Sequence, residues 1–291
     1  ALFDRANEVL GYDLAQVCFE GPEDAITQTE NAQPGIYLVS WVALELLKEQ
    51  VPDLEFEATA GLSLGEFTAL TAAGAISFED GLNIVRQRGR FMQEACETTE
   101  GGMAAIIGLD QANTREVCDA SDVELANLNC PGQLVVSGTI TGIEKACELA
   151  KEKGAKRALP LTVAGAYHSR LMGSACPKLE AALREVKLNL PNVPVISNVT
   201  AAQHATAGEI LQRLVGSGNG MPGDNFRRDV FVARLELRFQ SVSGKSSQND
   251  SQRCKDSAGA TPTDHASPFS DSFISCTVGS AGFFMRIGNT I

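Results

Sequence analysis

A serine flanked by glycines is the strongest chemical signal in this sequence. Ser63 lies at the centre of Gly61-Leu62-Ser63-Leu64-Gly65, between a predicted strand and a predicted helix. A nucleophilic serine on a strand-to-helix turn needs small neighbours, because the backbone bends sharply and is closely approached. The turn also puts the amide of Leu64 and the start of the helix where an oxyanion would develop. The motif predicts acyl-enzyme chemistry at Ser63, and the alternative is an ordinary turn with a capping serine.

One histidine is well placed to act as the base for such a serine. His204 and His265 lie in polar stretches near or inside the C-terminal region, whereas His168 follows the predicted strand Arg157–Val163. Active sites of α/β proteins lie at the C-terminal ends of strands, where a histidine can take the proton of a serine. We therefore predict that His168 is the base. Taken alone, it could equally be a capping or partly buried histidine.

An arginine is the third candidate for the site. Arg86, Arg88 and Arg90 alternate in the helix predicted to begin after Ser77, so they cannot share one helix face. Gly89 has no side chain and would let a neighbouring element or a ligand come close to Arg88. A guanidinium binds a carboxylate through two parallel N–H donors. Arg88 is therefore the candidate that holds a carboxylate of the substrate.

Positioning these side chains requires an α/β framework, which the residue patterns predict. Helices are predicted at 33–50, 66–73, 77–97 and 170–186, and short strands at 55–60 and 193–198. Residues 103–163 follow the order strand, helix, strand, strand, helix, strand of a ferredoxin-like unit. We predict a large α/β subdomain from residues 1–100 and 161–216. The ferredoxin-like subdomain, residues 101–160, is inserted into it and covers one edge of the site.

Composition excludes several classes of protein. The chain has 291 residues and a net charge of −12, which argues against nucleic-acid binding. Its apolar runs are too short to span a membrane. Eight scattered cysteines, without a CxxC pair or a nearby histidine, predict reduced thiols rather than a metal cluster. Because the first residue is Ala1, we expect a truncated start without a signal peptide.

Residues 217–291 differ in composition from the rest of the chain. They hold eight basic and seven acidic residues, a net charge of +1, against −13 for residues 1–216. Val230–Phe239 alternates as a strand would, but residues 241–280 contain eleven serines and show no clear period. We predict that this tail is divergent and poorly ordered.

Six stretches together resemble the malonyl-CoA:acyl-carrier-protein transacylase family, which includes the acyltransferase domains of fatty-acid and polyketide synthases. They occur in the order and spacing of that family across about residues 1–216. The stretches are Asn31-Ala32-Gln33-Pro34, Gly61-Leu62-Ser63-Leu64-Gly65-Glu66, Arg88-Gly89-Arg90-Phe91-Met92-Gln93, Gly101-Gly102-Met103-Ala104-Ala105-Ile106, Asn129-Cys130-Pro131-Gly132-Gln133 and Tyr167-His168-Ser169-Arg170-Leu171-Met172.

The resemblance implies an α/β-hydrolase-like large subdomain and a role for each matching residue. Ser63 would be the nucleophile and His168 the base, oriented by a backbone carbonyl. Arg88 would hold the malonyl carboxylate, the Leu64 amide would donate to the oxyanion, and Gln33 would lie near the site. Malonyl-CoA would be the substrate and an acyl carrier protein the partner, with no bound cofactor. We expect a cytoplasmic monomer, with a plastid as the alternative location.

The chain departs from the family pattern at both ends. The family begins with a strand and a GQGSQ-type loop that supplies a second oxyanion donor, and this chain starts after them. The family's Gly-Pro-Gly segment, which carries the carbonyl that orients the histidine, is not found after residue 216. We therefore expect slow turnover and an unpaired strand edge in the central sheet, next to the missing first strand. At position 62 this chain has leucine, where many members of the family have histidine. Tyr167 resembles the aromatic residue of malonyl-selective members.

Two other functions stay open. An α/β serine hydrolase or thioesterase shares the GxSxG motif, but it would need an acid between serine and histidine and a histidine near the end of the chain. A catalytically inactive remnant that only binds a carrier protein is the other alternative. Acylation of Ser63 by malonyl-CoA distinguishes the transferase from such a remnant.

Overall fold

Helices and strands alternate along most of the chain. The computed structural model describes residues 2–218, 273–278 and 281–287, with side chains up to residue 216. The elements in chain order are α1 (Leu2–Leu10), α2 (Leu14–Glu20), α3 (Glu23–Thr27), α4 (Thr29–Gln50), β1 (Phe56–Gly61), α5 (Gly65–Ala72), α6 (Phe78–Glu97), β2 (Gly101–Ile107), α7 (Gln111–Ser121), β3 (Glu124–Cys130), β4 (Gln133–Thr139), α8 (Ile140–Glu152), β5 (Arg157–Pro160), a 3₁₀ turn (Arg170–Met172), α9 (Ala175–Arg184), β6 (Val195–Ile196), α10 (Ala207–Gly218), β7 (Phe273–Val278) and β8 (Ala281–Ile287).

The larger sheet carries the serine turn at the end of its strand β1. Its strand order is β6-β1-β8-β7, with β6 parallel and β8 antiparallel to β1. Helix α5 contacts β1, and α4 packs along α6. Gly89 permits this helix contact, because a Cβ there would lie 2.4 Å from the carbonyl oxygen of Thr29. The helix that carries Arg88 is thereby held against the start of α4.

The smaller sheet is antiparallel, with the strand order β3-β4-β2-β5. Helices α7 and α8 pack against each other and against this sheet. The apolar side chains of this core are separate from the main cluster and include Ile106, Val117, Val136 and Ala146, all fully buried. This order of strands is that of a ferredoxin-like unit. The predicted fold class, a large α/β subdomain with an inserted ferredoxin-like one, is confirmed, while the subdomain boundaries stay a prediction.

Several predicted elements differ from the structure at their ends. Helix α4 begins at Thr29 rather than at residue 33, so that Pro34 lies inside the helix. The amides of residues 31 and 32 already donate to the carbonyl of Gln28, so the first turn forms there. The helix predicted at 170–186 is divided into the 3₁₀ turn and α9. Helices α2, α3 and α10 were not predicted.

Part of the tail forms strands that the sequence analysis did not predict. In place of the expected unpaired edge, β8 lies antiparallel along β1, and β7 pairs with β8. The run at 281–287 is Ala-Gly-Phe-Phe-Met-Arg-Ile, and an open strand edge offers amides and carbonyls to such a segment. The run directly follows the serine-rich stretch 241–280, whose composition led to the prediction of a poorly ordered tail. The predicted strand Val230–Phe239 lies outside the described residues.

No helix within the described ranges is long and apolar enough to cross a lipid bilayer.

Candidate active site

The turn that carries Ser63 is strained and tightly closed. Ser63 has a backbone φ of 53°, in the left-handed region that residues other than glycine rarely adopt. A Cβ on Gly61 would lie 1.9 Å from the carbonyl carbon of Gly65, so position 61 accepts only glycine. Strain of this kind costs about 1–3 kcal/mol and concentrates at functional sites. The backbone thus has the geometry that the motif predicted.

Asn198 holds the backbone of this turn from the neighbouring strand. Its Oδ1 accepts a hydrogen bond from the amide of Ser63. Asn198 is buried and follows β6, which is parallel to β1. Sequence reasoning missed this contact. The signal that could have found it is the position of Asn198 after a predicted parallel strand, because the C-terminal ends of such strands share one edge of the sheet.

Arg88 is the buried cation beside Ser63. Its Nη2 donates to Ser63 Oγ at 2.9 Å, and its Nη1 donates to Gln33 Oε1 at 2.6 Å. Gln33 Nε2 in turn lies 3.3 Å from the sulfur of Met92. The guanidinium also lies 5.8 Å from the ring centroid of Phe67. The structure therefore brings three of the predicted site residues into one hydrogen-bonded group.

The charge of Arg88 has only neutral partners within the described part of the chain. Only 2% of the residue is exposed, and burial lowers the pKa of Arg88 to about 10. Its Nε has no hydrogen-bond partner there. A buried charge whose hydrogen-bond partners are all neutral is costly, so an anion bound directly to it would offset the cost. An anionic group of a ligand beside Ser63 fits this site.

The two neighbouring arginines face elsewhere. Arg86 Nη1 donates to the carbonyl of Leu10 at 2.9 Å. Arg90 pairs with Glu94 at 3.2 Å, and its side chain is 61% exposed. Of the three alternating arginines, Arg88, which precedes Gly89, is the buried one.

His168 lies in the segment between β5 and the 3₁₀ turn. It is 7% exposed and has φ 62°, so the predicted nucleophile and the predicted base both have left-handed backbones. Tyr167, its neighbour, shares a hydrogen bond of 2.6 Å with Thr29 Oγ1. Burial raises the pKa of Tyr167 to about 12, and the nearby charge of Arg88 opposes this increase. The segment that carries His168 therefore adjoins both the start of α4 and the surroundings of Arg88.

Leu64 lies at the N terminus of α5, as the motif predicted. It is the N-cap residue of that helix, and its side chain is buried. The amides of Gly65, Glu66 and Phe67 donate to the carbonyls three residues before them. The amide of Leu64 precedes these and lies at the positive end of the helix dipole, where an oxyanion is stabilised.

A buried hydrogen-bonded pair of side chains lies one turn beyond the serine. Glu66 Oε1 lies 2.8 Å from His204 Nε2, and both side chains are 0% exposed. Sequence reasoning set His204 aside because its neighbours are polar. The backbone amide of His204 donates to the carbonyl of Val195 in β6 at 3.1 Å, and this bond brings the residue to the sheet.

Across the described residues, no group of three or more His, Cys, Asp or Glu side chains could hold a metal ion. A strained serine between a strand and a helix N terminus is the arrangement of enzymes that form an acyl-serine. Here a buried cation also donates to the serine hydroxyl.

Comparisons with known proteins identify the family within this class. The chain belongs to the acyl transferase domain family, whose model matches residues 3–215. It is 48% identical over 219 residues to the malonyl CoA-acyl carrier protein transacylase of Bacillus subtilis, covering 74% of this chain and 68% of that protein. The predicted family is thereby confirmed.

Two solved structures extend the likeness to the fold. The acyl-carrier-protein S-malonyltransferase of Burkholderia pseudomallei 1710b matches with a TM-score of 0.76 and 39% identity, over 82% of this chain and 77% of that one. The malonyl-transacylase solved with a type II PKS acyl-carrier protein matches with a TM-score of 0.75 and 34% identity, over 82% and 77% of the two chains.

Proposed function

We propose that this chain transfers a malonyl group from CoA to the phosphopantetheine thiol of an acyl carrier protein, in fatty-acid or polyketide synthesis. The observation that carries the proposal is the buried Arg88 guanidinium, which donates to Ser63 Oγ at 2.9 Å. The B. subtilis relative is named for this activity, and the type II PKS complex pairs such an enzyme with its carrier protein.

The first half-reaction forms the acyl-enzyme. Ser63 Oγ attacks the thioester carbonyl of malonyl-CoA while His168 takes the hydroxyl proton. The Leu64 amide at the start of α5 donates to the oxyanion that forms. Collapse of this intermediate breaks the carbon–sulfur bond, and His168 returns the proton to the departing CoA thiolate.

Arg88 selects the acyl group. The free carboxylate of malonyl accepts from the guanidinium in the fork geometry that carboxylates favour, and it gives Arg88 a charged hydrogen-bond partner. Acetyl has no carboxylate and leaves the buried guanidinium without a charged hydrogen-bond partner. A hydrolase of simple esters gains nothing from a buried cation on its nucleophile, so this contact favours the transferase over the hydrolase alternative.

The second half-reaction transfers the malonyl group to the carrier. The phosphopantetheine thiol attacks the malonyl ester, His168 takes the thiol proton, and Ser63 Oγ recovers a proton from His168 as it leaves. CoA therefore leaves before the carrier protein reacts, which makes the kinetics ping-pong. We place the reaction in a bacterial cytoplasm because the B. subtilis relative is bacterial, with a plastid as the alternative.

The test is the fate of a preformed malonyl-enzyme. The full chain is incubated with malonyl-CoA, freed of excess substrate and mixed with a holo acyl carrier protein, and the mass of the carrier is followed. We expect the carrier to gain one malonyl group. Release of free malonate with an unmodified carrier would contradict the proposal and favour a thioesterase. Failure to form any acyl-enzyme would favour the inactive remnant.

A further inference from the structure

The buried pair of Glu66 and His204 has no part in the mechanism above. His204 Nε2 and Glu66 Oε1 share a hydrogen bond of 2.8 Å. The second carboxylate oxygen, Glu66 Oε2, has no hydrogen-bond partner within the described residues. A fully buried carboxylate that uses one oxygen only retains the capacity to pair with a second cation.

Arg88 is a buried cation close to Glu66 in the structure. Its Nη2 donates to Ser63 Oγ, and the amide of Glu66 donates to the carbonyl of Ser63 at 3.2 Å. The guanidinium lies 5.8 Å from the ring centroid of Phe67, the residue that follows Glu66. Burial lowers the pKa of Arg88, and among the neighbouring charges that oppose this decrease the carboxylate of Glu66 contributes most. The guanidinium nevertheless donates to Ser63 and Gln33, and its Nε has no partner in the described part of the chain. Two groups of opposite charge thus influence each other while each keeps one buried polar atom unpaired.

A direct pair between them would interfere with substrate binding. Arginine binds carboxylates preferentially through two parallel N–H donors. A carboxylate of the protein on Arg88 would occupy the donors that the malonyl carboxylate requires. The substrate would then have to displace a group that is always present at the site.

The position of His204 is fixed by its own backbone. Its amide donates to the carbonyl of Val195 at 3.1 Å, and the preceding residue, Gln203, forms an antiparallel bridge with Ile196. Val195 and Ile196 form β6, which pairs with β1. The imidazole is therefore attached to the same sheet that carries the serine turn.

We propose that His204 is a specificity-positioning residue, which binds the carboxylate of Glu66 and so keeps the guanidinium of Arg88 free for the carboxylate of the acyl substrate. The inference rests on the proposed function, since it concerns the choice of malonyl over acetyl. A pair that served stability alone would hold the 195–204 segment on α5 without any effect on this choice.

The experiment measures the second-order rate constant of Ser63 acylation by malonyl-CoA and by acetyl-CoA, using the intact mass of the full chain. In His204→Leu, Glu66 loses its donor and pairs with Arg88. We expect the malonyl-to-acetyl ratio to fall about tenfold or more, as loss of one charge-assisted contact with substrate would produce. His204→Gln keeps an N–H donor near the same place, so its malonyl-to-acetyl ratio should remain close to that of the unmodified chain.

The double variant Glu66→Gln/His204→Leu distinguishes the proposed specificity role of His204 from a purely structural role. It removes the competing carboxylate as well, so we expect the ratio to return to within about threefold of the unmodified chain, since the two residues couple. Tyr37→Phe is the matched control, because it removes another buried hydrogen bond, 2.8 Å long to Thr71. It should leave the ratio unchanged.

The single variant Glu66→Gln keeps the inference testable if the leucine variants do not fold. It retains a hydrogen-bond acceptor for His204 and removes the competing charge, so the ratio should stay equal or rise. A ratio that falls in Glu66→Gln, or that is unchanged in a folded His204→Leu, would overturn the inference.

Failure of the proposed function has a different signature. If neither thioester acylates the unmodified chain, malonyl transfer itself is refuted. A crystal structure of His204→Leu then decides the pairing: a Glu66 carboxylate on Arg88 supports the inference, and a carboxylate that remains off the guanidinium contradicts it.

Discussion

Replacing Arg88 by alanine should impair malonyl transfer much more than acetyl transfer. The guanidinium is fully buried, and its donors lie 2.9 Å from Ser63 Oγ and 2.6 Å from Gln33 Oε1. A carboxylate attached to an acyl group on Ser63 lies within reach of the same donors. Loss of a charge-assisted hydrogen bond costs about 1.5–3 kcal/mol. At 1.36 kcal/mol for each factor of ten, the malonyl-to-acetyl ratio should fall by about 10- to 150-fold.

The assay is the rate of acyl-enzyme formation from each thioester, followed by intact mass, with the free energy of unfolding measured for every variant. Arg90→Ala is the matched control, because Arg90 lies on the same helix but is exposed and pairs with Glu94. It should change neither rate. Arg88→Lys keeps the positive charge but lacks the two parallel N–H donors. Its malonyl-to-acetyl ratio should therefore lie between those of Arg88→Ala and the unmodified chain. Equal slowing of both acyl groups in Arg88→Ala would refute the carboxylate contact.

Three further predictions concern the base, the pH dependence and the helix contact. His168→Ala should slow acylation of the enzyme by about 10²–10⁴, and an unchanged rate would exclude His168 as the base. The malonyl-to-acetyl ratio should be constant at neutral pH and decline as the pH passes about 10, because the guanidinium of Arg88 then loses its proton; a decline that begins near neutral pH would contradict this. Gly89→Ala puts a Cβ 2.4 Å from the Thr29 carbonyl oxygen. Overpacking of this kind should lower the free energy of unfolding by about 1–3 kcal/mol in a denaturant titration. An unchanged free energy of unfolding would show that α4 and α6 can move apart without cost.

The parts of the site that could be predicted depend on local pattern. The serine turn follows from Gly61 and Gly65 around Ser63, because only small residues permit the bend. Arg88 could be chosen among three arginines because Gly89 signals a close approach, which the carbonyl of Thr29 makes. The strand order of the smaller sheet also follows from its sequence of elements.

The parts that could not be predicted depend on pairing between distant segments. The Glu66–His204 pair joins residues 138 positions apart, and nothing in the polar sequence around His204 indicates its burial. The contact of Asn198 with the Ser63 amide joins positions 135 apart. Likewise, no pattern at 281–287 reveals which strand edge β8 will occupy, because strand pairing is decided by the edges left open elsewhere.

The most direct test of this account is the site of malonylation. The full chain and its Ser63→Ala variant are exposed to malonyl-CoA, and the modified residue is identified by intact mass and peptide mapping. The account predicts one malonyl group per chain, located on Ser63, and no modification of the variant. Malonyl retained by Ser63→Ala, or mapped to another residue of the unmodified chain, would contradict it.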